Sequence, residues 1–166
     1  MSLVTPRKGY KSVPWLFGKE IEIPEEWKRT KLIENCIDKP EYGANSSAIG
    51  KDLKLPRYIR ITDLNYDGTL RDLEWKSISK EDAKNYILNE GDFLFARTGA
   101  TVGKTFLYQK NHGQCAYAGY LIRFNVNTEN LDAQFLFQLT HSKSYCQSKG
   151  RTTLSKICCS YAICKS

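Results

Sequence analysis

The chain has 166 residues, a length that fits one domain, and a domain of about 150 residues buries roughly 68–70% of its unfolded surface. Its formal net charge is +7, which suits a polyanionic partner, although charge alone also describes an ordinary soluble basic domain. No run of 18 apolar residues and no continuous apolar segment at the N-terminus occur in the sequence, so neither a helical membrane span nor a signal peptide is supported, and the expected location is cytoplasmic.

The charge is uneven. Residues 1–60 carry 12 basic and 8 acidic side chains, residues 61–105 carry 6 and 8, and residues 106–166 carry 7 and 2. The six cysteines show no repeated Cys-x-x-Cys spacing, and in a reducing compartment they read as free thiols. His141, Cys146, Cys158, Cys159 and Cys164 stand at intervals that fit no standard zinc finger.

In chain order, residues 1–20 read as a basic, irregular N-terminal arm punctuated by Pro6, Gly9, Pro14 and Gly18. Trp27, Leu32 and Ile33 offer the first core anchors, and Pro40 to Gly50 form a polar, turn-rich loop containing Tyr42 and Asn45. The run Arg57 to Thr62 alternates, which predicts a half-buried strand with Ile59 and Ile61 inward and Tyr58, Arg60 and Thr62 outward. Asp67-Gly68 predicts a hairpin turn. Ser79, followed by Glu81 and Asp82, predicts a capped helix running to about Leu88.

The central stretch is Gly91 to Lys104. Phe93 to Ala96 are four consecutive apolar residues between turn signals, the pattern of a short strand buried on both faces. A loop with Gly99, Gly103 and Lys104 leads into Thr105 to Tyr108, a second strand-like run. Gly99 to Thr105 resembles a nucleotide P-loop, but only three residues separate the first glycine from Gly-Lys, and a strand follows where a helix N-terminus is required. Tyr120 to Phe124 is a further strand, and Asp132 caps a helix with Phe135, Leu136 and Leu139 on one stripe. Strands and helices mix without regular β-α-β alternation. The expected fold class is therefore α+β, a single compact domain with a twisted, largely antiparallel or mixed sheet and a few flanking helices.

No catalytic constellation is legible. His112 and His141 have no adjacent nucleophile at a diagnostic spacing, and the carboxylates lie in loops and in the capped helix.

Ile23-Pro24-Glu25-Glu26-Trp27, Tyr58 to Leu64, Gly91 to Lys104, Tyr120 to Phe124, Phe135-Leu136 and Thr152 to Lys156 together resemble the target recognition domain of a type I restriction-modification specificity subunit, a DNA methylase specificity domain. The resemblance places that domain at residues 21–157, with 158–166 as a short C-terminal tail that lacks the family's spacer helix, as in a truncated, single-domain form. It implies a non-catalytic reader of double-stranded DNA that recognises one half of a bipartite target for a DNA methyltransferase (modification) subunit and a restriction subunit. A second recognition domain is the implied pairing partner, and no cofactor of its own is implied. The candidate DNA contacts are Lys51 and Lys104 for phosphate, and Tyr42, Asn45, Arg60 and Arg97 for bases or groove. Arg97 has a second reading, an ion pair with a carboxylate such as Asp92. The alternatives are a nucleotide-binding hydrolase using Gly99 to Lys104, and a remnant with a protein-interaction role only.

Overall fold

The computed structural model describes residues 6–15, 20–97, 103–142 and 162–165. Its middle layer is a four-stranded antiparallel sheet in the order β4-β10-β7-β8, made of β4 (Glu41–Tyr42), β7 (Asp92–Ala96), β8 (Thr105–Leu107) and β10 (Leu121–Asn125). Every residue of β7 is buried, as its uninterrupted apolar run predicts.

The pleat of β7 divides the core in two. Phe93 and Phe95 pack with Trp15, Ile23, Leu32, Phe124, Leu131 and Leu136. Leu94 and Ala96 pack on the other side with Ile59, Leu64, Phe106, Tyr117 and Leu121. Over the first side lies α2 (Ala133–His141), whose N-cap Asp132 accepts a bond from the Phe135 amide at 2.7 Å. Its Leu136 enters the core, and Thr140 Oγ1 lies 3.0 Å from Thr105 Oγ1 on β8.

Against the second side stands a mixed sheet of order β6-β5-β9: β5 (Arg57–Ile59), β6 (Lys76–Ser77) and β9 (Cys115–Tyr117), with β5 and β9 parallel. Ile59, Cys115 and Tyr117 face the middle layer. Tyr58 and Ala116 face outward into a third cluster with Ala44, Ile78 and Ala83 of α1 (Lys80–Ala83).

Several expectations are corrected. The segment read as an irregular N-terminal arm contains β1 (Tyr10–Pro14), which pairs antiparallel with β2 (Glu20–Pro24). The segment read as a short tail contains β11 (Ala162–Lys165), which pairs with β3 (Trp27–Thr30). The strand at Arg57 ends at Ile59, and the chain turns into a 3-10 helix at Ile61–Asp63. Tyr58 is buried rather than outward because the third cluster covers that face. The helix capped by Ser79 stops at Ala83, since Ile87 bridges to Ala116 and the Leu88 amide donates to the Cys115 carbonyl. The Asp67-Gly68 turn forms as expected: Leu64 bridges Leu70, and Gly68 has φ +81°.

Tyr58 ties the third cluster to the loop after β4. Its hydroxyl donates to the Ala44 carbonyl at 2.7 Å, and burial raises its pKa. Tyr58→Phe removes one of two donors to that carbonyl, the Gly119 amide being the other, and is expected to cost about 1 kcal/mol. Urea unfolding would show this as a lower midpoint at unchanged slope.

Candidate nucleic-acid interface

Parallel strands end at the same place, and here that geometry builds a pole. Arg60 follows β5, and Ala118 to Tyr120 follow β9, with the Ala118 amide donating to the Ile59 carbonyl at 2.9 Å. The loop leaving β4 reaches the same point: the Gly43 amide donates to Leu121, the Ala44 amide to Tyr117 at 2.8 Å, and the Gly119 amide returns to Ala44 at 2.8 Å. Arg97, at the end of β7, donates its amide to the Tyr120 carbonyl at 3.0 Å. Four connections far apart in sequence are thereby held by backbone hydrogen bonds.

The pole displays large side chains to solvent. Tyr42 is 55% exposed and Tyr120 62% exposed. The exposed Arg97 guanidinium lies 4.7 Å from the centroid of the Tyr42 ring, a cation–π contact. Between the loops lies a groove of about 360 Å3, lined by Ala44, Asn45, Ala48, Arg60, Ile61 and Tyr120 among others. Arg60 is oriented by a fork to Asp63, with Nε and Nη2 at 2.9 and 2.7 Å from the two carboxylate oxygens, and this bond raises the guanidinium pKa.

Of the six residues expected to contact DNA, the structure brings Tyr42, Asn45, Arg60 and Arg97 together at this pole. Lys51 sits elsewhere, toward the start of β5, where its ammonium lies 5.1 Å from the Trp75 ring centroid and Arg57 lies 5.5 Å from the same ring. Lys104 is placed inside the fold rather than on the surface expected for a phosphate contact. It is only 4% exposed, its Nζ donates to the Leu64 carbonyl at 2.6 Å, and it lies 4.6 Å from the Tyr66 ring. Burial, with Arg71 nearby, pushes its pKa down. Its ammonium therefore pins the turn around Leu64 to the base of β8.

The second reading of Arg97 does not match the geometry. Asp92 is at the far end of β7, 3% exposed, with its Oδ2 3.7 Å from Arg123 Nη1. Burial raises the pKa of its carboxyl group. Arg123 in turn is held by Glu41 at 2.7 Å. Residues 99–102 of the P-loop-like run lie outside the described residues, as do the Thr152 to Lys156 motif, Cys146, Cys158 and Cys159. The residues after Lys104 form a strand, not the helix a P-loop needs. Among the described residues no group of three or more His, Cys, Asp or Glu side chains could hold a metal ion, and no helix is long and apolar enough to cross a membrane.

Tyr120 was not among the expected contacts. Its aromatic character beside the small residues Ala118 and Gly119 is the one sign of it in the sequence.

The family model of the type I restriction modification DNA specificity domain matches residues 24–158. The chain belongs to this family. The match takes in β3 through α2, and so the whole pole. No curated protein matches the chain significantly. Among solved structures, the specificity domain is similar to the HsdS subunit from Thermoanaerobacter tengcongensis, with a TM-score of 0.58 and 16% identity over 86% of this chain and 39% of that one. It is also similar to a chain solved in work on complex assembly and conformational transition of the type I R-M system, with a TM-score of 0.57 and 18% identity over 85% of this chain and 38% of that one. These likenesses establish a shared α+β fold. The specificity domain spans under two fifths of the length of either solved chain.

Proposed function

We propose that the chain reads one half of a bipartite double-stranded DNA target as the specificity component of a type I restriction-modification system. In this reading it is non-catalytic, needs no cofactor, works in the cytoplasm, and positions a DNA methyltransferase subunit and a restriction subunit. A second recognition domain reads the other half-site. The observation that carries the reading is the pole itself, where Tyr42, Asn45, Arg60 and Arg97 converge within a DNA specificity domain. Arg97 and Asn45 have the chemistry to read base edges in the major groove. Lys51, on the Trp75 ring, supplies a phosphate contact, which positions the duplex without reading it.

Selection from random duplexes tests the proposal. A consensus should emerge, with logarithmic affinity falling linearly with log salt; equal binding to every sequence would overturn it. Arg97→Ala is expected to cost about 1–3 kcal/mol of consensus binding and to relax preference at one position, whereas Lys51→Ala should weaken all sequences alike and lower the salt slope by about 1. Both side chains are exposed, so thermal unfolding of either variant should match the parent. Co-purification with a methyltransferase subunit tests assembly.

A further inference from the structure

The groove at the pole has two chemistries. Ala48, Ile61 and the Tyr120 ring make an apolar wall, while Asn45 stands exposed on the same groove. Among the described residues the Asn45 carboxamide has no hydrogen-bond partner. A carboxamide presents one donor face and one acceptor beside it, which is the complement of adenine N6 and N7 in the major groove. Guanine presents two acceptors there and is matched instead by a free arginine fork. The arginine in this groove, Arg60, already spends its Nε and Nη2 on Asp63. The base opposite adenine is thymine, whose C5 methyl is an apolar group in the same groove of the duplex. The wall beside Asn45 has the matching character.

We infer that this groove selects an A·T pair: Asn45 bonds the adenine edge, and the wall formed by Ala48, Ile61 and the Tyr120 ring receives the thymine methyl group. The inference rests on the DNA-reading proposal above and assigns the base pair that this part of the pole reads. Arg60, locked to Asp63, forms part of the groove lining.

The test uses the full chain and duplexes carrying its selected consensus, with deoxyuridine replacing thymine at one position at a time so that only a methyl group is lost. One position is expected to lose affinity by about three- to tenfold, on the order of what burying one methyl group confers. Ala48→Leu fills the groove from an exposed site and should bind the thymine and deoxyuridine duplexes equally at that position, with preferences elsewhere unchanged. Asn45→Ala should lose its preference for A·T at the same position. If a consensus emerges but deoxyuridine is neutral throughout, or if its effect persists in Ala48→Leu, the inference is overturned while the DNA-reading proposal stands. If no consensus emerges, both fall.

Discussion

Phe95→Ala is expected to remove about 3–5 kcal/mol of stability, the range for deleting a buried aromatic ring. Phe95 is 1% exposed on the strand that separates the two halves of the core. Its ring lies 4.9 Å from that of Phe93 and 5.2 Å from that of Phe124, the latter edge-on. The cavity would open between β7, β10 and α2, and all three are fixed by backbone ladders or caps that resist collapse into the space. Since whole domains are stable by about 5–15 kcal/mol, the variant should sit near its unfolding threshold at 37 °C. Urea denaturation followed by far-UV circular dichroism measures the loss, and a change under about 1 kcal/mol would show that β7 is not the packing centre.

Gly43→Ala should also be damaging, for a different reason. A Cβ at this position would run into the Tyr117 carbonyl oxygen, and would lie 2.5 and 2.6 Å from the carbonyl oxygen and carbon of Ala118. These are backbone atoms, fixed by the Ala44-to-Tyr117 and Ala118-to-Ile59 hydrogen bonds, so they cannot swing aside as a side chain would. Overpacking of this kind costs about 1–3 kcal/mol, and occasionally more. The strain falls between Tyr42 and Asn45, so duplex binding should weaken beyond what lost stability explains. Gly50→Ala is the control, because a Cβ there meets nothing within 4 Å. Its unfolding midpoint and duplex affinity should match the parent, and equal damage from both substitutions would refute the close-approach argument.

The strands with the strongest local signal were legible in the sequence. The apolar run Phe93 to Ala96 between turn signals has the pattern of a strand buried on both faces, and the Asp132 cap fixed the start of α2. Where reading failed, non-local pairing had overridden local preference. Helix propensity after Ser79 yields at Ile87 and Leu88 because β9 offers them backbone partners. Proline and glycine around residues 6–18 suggested irregularity, yet Val13, Ile21 and Ile23 supply an apolar face that packs on the core.

The candidate site was legible as residue types but not as a place. Tyr42, Asn45, Arg60 and Arg97 meet because β5 and β9 run parallel and end together, a pairing no local pattern announces. Lys104 shows the converse: a charged residue after a glycine-rich loop suggested a surface contact, whereas a carbonyl and an aromatic ring satisfy its ammonium inside the fold.

The β3–β11 pair bears on how the chain comes off the ribosome. Its two strands lie near opposite ends of the sequence, and among the described residues β11 is the sole ladder partner of β3. Closing so long a loop carries an entropy cost that must be met before the pairing rewards it. The candidate pole draws on residues 42–121 and is fully synthesised well before Ala162 emerges. During that interval β3 lacks its ladder partner and offers a bare edge, the kind of surface through which unfinished chains stick to one another.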